Sequence, residues 1–175
     1  TSPLRVLAVL SLLSVLVAVL PVPPARADTG PWTWPLPGTP TVLRGFDPPA
    51  QRWLPGHRGV DLAADPGDTV LAAGGGRVGF AGTVGGVPVV TVVHGTTRTT
   101  YLPAAPLVGR GEEVRAGQAI GTLPARPRHC APRHCLHWGL LRGRDYLDPL
   151  ALLGRAAVRL LPLPGTGQAR GWAWW

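Results

Sequence analysis

Gly56-His57-Arg58-Gly59-Val60-Asp61 places an imidazole and a carboxylate four residues apart. Both groups are good ligands for a divalent metal. A second imidazole, His137, lies far downstream in Cys135-Leu136-His137-Trp138-Gly139-Leu140. If the three side chains met, they could hold one zinc ion and leave a coordination position for water. The spacing alone leaves this open. An i,i+4 pair is aligned by a helix, but Pro55, Gly56 and Gly59 disfavour one here. A loop entering a strand would have to align His57 with Asp61. The competing reading is hydrogen-bonded structural histidines, with His137 satisfied inside an apolar strand.

The elements that must position these groups read as strands. Residues 42–46 form a candidate first strand after a lead-in, 28–41, whose prolines forbid a helix or a central strand. Trp32 and Trp34 in that lead-in are expected to dock on the domain. Short strands follow at 69–73, 77–81, 87–94 and 98–102, separated by turns at Pro66-Gly67-Asp68, Gly74-Gly75-Gly76, Gly82–Gly86 and Gly95-Thr96-Thr97. Residues 87–94 are rich in Val and Thr and make the best strand in the chain. Residues 111–123 read as a further turn-strand-turn-strand unit, and 136–141 as the strand carrying His137. Strands of this length between glycine turns predict an all-β sandwich or barrel. One short helix is expected over 150–161, with Asp148 as N-cap and Pro149 in its first turn.

The N-terminal residues read differently. Arg5 precedes an apolar run from Val6 to Leu20, prolines end the run, and Ala25-Arg26-Ala27 is an A-x-A cleavage signal. This is the pattern of a secretory signal peptide over 1–27, cleaved before Asp28. The apolar run is short for an uncleaved membrane span, so no transmembrane helix is expected after cleavage. The 17 basic residues of the chain are all arginine, against 9 acidic residues. The excess suits an acidic polymer such as a cell wall or a membrane surface. A scattered, solvated arginine composition would look the same. No groove-reading motif points to nucleic acid. In an exported chain, the two close cysteines, Cys130 and Cys135, favour a disulfide over a thiolate metal site. The segment 154–175 holds the end of the expected helix and a Gly/Pro/Trp tail.

Gly56-His57-Arg-Gly-Val-Asp61-Leu resembles the H-x-x-x-D motif of the lysostaphin/LytM-type zinc peptidases, the M23 family. Leu136-His137-Trp-Gly-Leu resembles the end of that family's H-x-H motif. Gly67–Val78, Val89–Gly95 with Thr100-Tyr101, Val114–Gly121 and Tyr146-Leu-Asp-Pro resemble its intervening strands in order. The resemblance covers about residues 42–153. It implies an antiparallel β-sheet core of the duplicated-hybrid-motif type, and Zn²⁺ held by His57, Asp61 and His137. It also implies cleavage of peptide bonds in bacterial peptidoglycan, in a secreted or cell-wall location.

The chain departs from the family pattern where catalysis would be assisted. The first His of H-x-H is replaced by Cys135. The second catalytic His, two residues after the tyrosine, is replaced by Pro103. His134, and less directly His129, are the candidates to stand in, provided that a disulfide-imposed bulge re-aims the backbone. His94 falls at a family position that is not a ligand and reads as structural. The departures admit an alternative function, a wall-binding or hydrolase-activating module of the same fold with a partner wall hydrolase. A biotinyl- or lipoyl-type carrier is excluded, because the chain has no lysine to modify.

Overall fold

The computed structural model describes residues 31–51 and 53–154. The expected signal peptide, the start of the lead-in and the Trp-rich tail lie outside the described residues. The described residues form eleven strands: β1 (Val42–Arg44), β2 (Val60–Ala63), β3 (Thr69–Leu71), β4 (Gly76–Val84), β5 (Val87–His94), β6 (Thr97–Leu102), β7 (Ala105–Pro106), β8 (Glu113–Val114), β9 (Ala119–Thr122), β10 (Cys135–Arg142) and β11 (Asp145–Leu147). One sheet has the order β1-β2-β10-β6-β5-β4-β8, with β11 also paired to β10. A smaller sheet has the order β3-β9-β7. All pairings are antiparallel. The all-β antiparallel expectation holds. No helix among the described residues is long and apolar enough to cross a membrane.

Turn chemistry sets the main hairpin. Gly85 and Gly86 both have positive φ, at 56° and 82°. A two-residue loop of that kind matches the right-handed twist of the flanking strands. β4 therefore runs to Val84, beyond the residue expected to end it, and Val84 pairs directly with Val87.

Strand periodicity divides the large sheet into two chemical faces. Val60 and Leu62 on β2, Val90 and Val92 on β5, Thr99 and Tyr101 on β6, and Leu136 and Trp138 on β10 are fully buried. They form the core with Val70 and Ile120 of the smaller sheet. The alternate residues, Asp61, Val89, Arg98, Thr100, Leu102 and His137, belong to the opposite face. The lead-in adds to the core side: Leu36 is buried, Thr33 N–H donates to Ala73 O at 2.8 Å, and Leu71 N–H donates to Pro35 O at 2.9 Å. Trp32 meets the His94 ring edge-on, with centroids 4.8 Å apart.

The helix expectation needs correction. The observed element is a 3₁₀ segment, Pro149–Leu153, capped at Gly154; the rest of the expected helix, 155–161, lies outside the described residues. Its start is as expected: Asp148 Oδ1 accepts from Leu150 N–H. It stops because Gly154 adopts a left-handed conformation, φ 65°, and its N–H closes on the last turn.

Candidate metal centre

The sheet register brings the distant residues of the site together. On adjacent strands, His137 of β10 pairs directly with Asp61 of β2, so their side chains leave the same face as cross-strand neighbours. His57 comes from the loop before β2. A backbone bridge with Asp47 fixes that loop, with His57 N–H donating to Asp47 O at 2.7 Å and Asp47 N–H donating to His57 O at 2.9 Å. Glycines supply the necessary room. A Cβ at Gly59 would lie 2.5 Å from Trp138 O and 2.7 Å from His137 Nε2. A Cβ at Gly56 would lie 2.6 Å from Pro49 Cδ.

His57, Asp61 and His137 converge. Asp61 Oδ1 lies 2.7 Å from His137 Nδ1 and 3.0 Å from His57 Nε2, and the two ring nitrogens are 3.2 Å apart. His129 joins them, with Nε2 3.3 Å from Asp61 Oδ1. One ligand atom from each of His57, Asp61, His129 and His137 lies within 4.8 Å of every other. His57 and Asp61 are buried, and His129 is exposed.

Hydrogen placement shows what the cluster lacks. Gly45 O can only accept, so His57 Nδ1 donates to it at 2.6 Å. In the neutral ring, this leaves the His57 Nε2 lone pair facing Asp61 and His137. His137 Nδ1 and His129 Nε2 can each donate to Asp61 Oδ1, but the His57 Nε2 lone pair meets that oxygen at 3.0 Å with no proton between them. A divalent cation among these lone pairs fits the donor set, and the His57–Gly45 bond is the outer-shell contact that orients a ligating imidazole. The protonation states agree. Burial disfavours the Asp61 anion, but the hydrogen bonds from His129 and His137 and the nearby His57 outweigh it, holding the carboxyl well below its usual range. Burial, with the neighbouring His129 and His57, also lowers the His137 pKa against the raising contact with Asp61, which favours the neutral, ligand-competent ring.

The centre opens into a groove of about 500 Å³ lined by His57, His129, His137, Arg44, Arg58 and Arg98, among others. Arg58 also lies over the Tyr146 ring, 5.8 Å from its centroid. The arginines at the groove are thus Arg44, Arg58 and Arg98, whereas Arg126, Arg128 and Arg133 do not line it.

Cys130 and Cys135 form a disulfide, so neither is a free thiolate. His134 is not among the converging ligand residues; His129 is. The expected bulge is absent, since the β10–β2 register runs unbroken from Cys135 to Trp138. With regular alternation, Cys135 shares a face with His137, and the residue before it does not. His129 was harder to single out in the sequence. Its signal was its place beside Cys130, whose partner stands two residues before His137. Pro103 is buried just beyond β6 and contributes no imidazole.

Residues 55–149 match the sequence profile described as Peptidase family M23. An uncharacterised protein of Mycobacterium tuberculosis is 44% identical over 163 residues, which cover 90% of this chain and 66% of that protein. The chain thus spans about two thirds of that relative's length. Among solved structures, a zinc-containing peptidase from Vibrio cholerae is 26% identical, with TM-score 0.52, over 62% of this chain and 35% of that one. The catalytic domain of lysostaphin from Staphylococcus simulans shares the fold, with TM-score 0.57 and 23% identity over 66% of this chain and 92% of that one.

Proposed function

Because the chain belongs to peptidase family M23, we propose that it is a secreted zinc metalloendopeptidase that cuts peptides of bacterial cell-wall peptidoglycan. The observation that carries this reading is the convergence of His57, Asp61 and His137 beside an open groove that both histidines and three arginines line. Bound there, zinc would lower the pKa of a water molecule and polarise the scissile carbonyl. The chain's own residues do the rest. Gly45 fixes the His57 ring, and the ionised Asp61 offsets positive charge. Arg44, Arg58 and Arg98 attract the carboxylates of an acidic wall peptide into the groove. The segment 1–27 would direct export, and the wall would be the working location.

Catalytic assistance is reduced at two positions. Pro103 has no acid–base group, and Cys135 is committed to the disulfide. Loss of a positioned acid–base group typically costs about 10²–10⁴-fold in rate. The test is to load the purified protein with zinc and incubate it with peptidoglycan. Release of peptide fragments, abolished by His137→Ala, is the expected result. No fragments from any peptidoglycan, with His137→Ala indistinguishable from wild type, would refute the peptidase reading.

The same two replacements favour a second reading, a wall-binding module that activates a partner hydrolase. Equal stimulation of a partner amidase by wild type and His57→Ala would select it.

A further inference from the structure

We propose that His129 is a fourth protein ligand of the metal, held at the centre by the Cys130–Cys135 disulfide. The inference rests on the zinc reading above and deepens it. A tetrahedral zinc with bonds of about 2.0–2.1 Å sets its ligand atoms about 3.3–3.4 Å apart. His129 Nε2 stands 3.3 Å from Asp61 Oδ1, as close to that edge length as His57 Nε2 stands to His137 Nδ1, at 3.2 Å. The His129 ring is tilted by 53° against the His137 ring, with centroids 4.7 Å apart, so the two imidazoles approach one point without stacking.

The covalent path explains how an exposed loop residue reaches this point. Cys135 pairs with Ala63 at the start of β10, two residues before His137 and on its face. Its disulfide holds Cys130 with a Cα–Cα distance of 5.8 Å, and His129 is the next residue. One sulfur from each cysteine and an Asp61 carboxylate oxygen lie within 4.8 Å of one another, so the bridge runs alongside the centre. Within this loop Arg128 Nη1 also donates to Pro132 O at 3.0 Å. The strand position that the family pattern gives to a histidine thus anchors a loop that delivers one from outside the strand. A centre with four protein ligands is closed, and admission of water or substrate requires His129 to leave. The side chain is suited to that, being 34% exposed where His57 is 5% exposed.

X-ray absorption at the zinc edge, with zinc affinity measured by chelator competition, tests the proposal. Wild type should show three imidazoles and His129→Ala two, with affinity lowered about tenfold or more. Cys130→Ser/Cys135→Ser should lower affinity comparably, and adding His129→Ala to it should cause little further loss, because both changes remove one interaction. Two imidazoles in wild type, with affinity unchanged in His129→Ala, would overturn the proposal and leave the His57/Asp61/His137 centre standing. Failure of wild type to bind zinc at all would instead refute the reading on which the proposal rests. If the double serine variant loses its folded circular dichroism, the His129→Ala comparison decides alone, since that side chain lies outside the core.

Discussion

A single histidine and a cluster of three occupy opposite faces of the same sheet, and they solve their hydrogen bonding in opposite ways. On the core face, His94 belongs to a completed chain. Ala73 N–H donates to Tyr101 Oη at 2.9 Å, Tyr101 and Thr99 hydroxyls are 2.8 Å apart, and Thr99 Oγ1 lies 2.8 Å from His94 Nε2. His94 Nδ1 donates to Gly75 O at 2.7 Å, which completes the chain. Each group can donate once and accept once along it. On the groove face, His57, His129 and His137 converge on one Asp61 oxygen, and because His57 Nδ1 donates to Gly45 O, no proton lies between His57 Nε2 and that oxygen. A histidine with a full set of partners is a structural residue. Lone pairs that converge with no proton between them fit a metal ion.

The comparison breaks most sharply at Asp61. Asp61→Asn keeps the shape and removes the charge shared by three imidazoles. It should lower zinc affinity by more than about 100-fold, beyond the 10–100-fold typical of outer-shell partners. Chelator competition measures it, and a loss below tenfold would mean that Asp61 is not a ligand.

The core cluster should respond in stability and not in metal binding. Tyr101→Phe leaves Ala73 N–H and Thr99 without their partner, and should cost about 1–3 kcal/mol in chemical denaturation with zinc affinity unchanged. Burial pushes the Tyr101 hydroxyl up to about 12, against the hydrogen bonds that lower it. The neutral phenol therefore stays in place throughout the ordinary pH range. A change in zinc affinity in this variant would show that the two faces are coupled.

Gly59→Ala tests the space between the clusters. Its Cβ would meet Trp138 O and His137 Nε2, so β10 or the His57 loop must move. Overpacking of this kind costs about 1–3 kcal/mol, and here zinc affinity should fall along with stability.

Acid should separate the contributions by pH. Burial lowers the pKa of both His94 and His137 from 6.5, so the unfolded chain binds those protons more tightly than the native one. Metal-free stability should therefore decline as pH falls below 6.5. The Asp61 carboxyl is shifted down from 3.8, so its contribution is intact above that value and is lost only at lower pH. Denaturation midpoints between pH 7.5 and pH 3 in the presence of chelator measure both stages. Zinc should steepen the first stage, because protons compete with the metal for the imidazoles.

Much of this arrangement was legible in the sequence. Val87–His94 reads as a strand because its β-branched residues suit a pleated sheet, and the hairpin Gly85-Gly86 supplies positive φ where the chain reverses. The grouping of His57, Asp61 and His137 was legible through their motif context. Their meeting depends on β2 pairing with β10, a contact across 76 residues that no local pattern encodes. The helical start at Asp148-Pro149 was legible, but the stop was not, because the left-handed turn at Gly154 interrupts a run that reads as continuous in the sequence. His129 was obscured because loop position, unlike strand position, has no period. The disulfide ties the neighbouring Cys130 to β10 and so sets where His129 lies.

The zinc content of purified wild type, His137→Ala and His94→Ala, each dialysed against trace chelator and measured by mass spectrometry, tests the central claim most directly. One zinc per wild-type chain, retained in His94→Ala and lost in His137→Ala, is the predicted result. Zinc absent from wild type, or bound equally by wild type and His137→Ala, would contradict it.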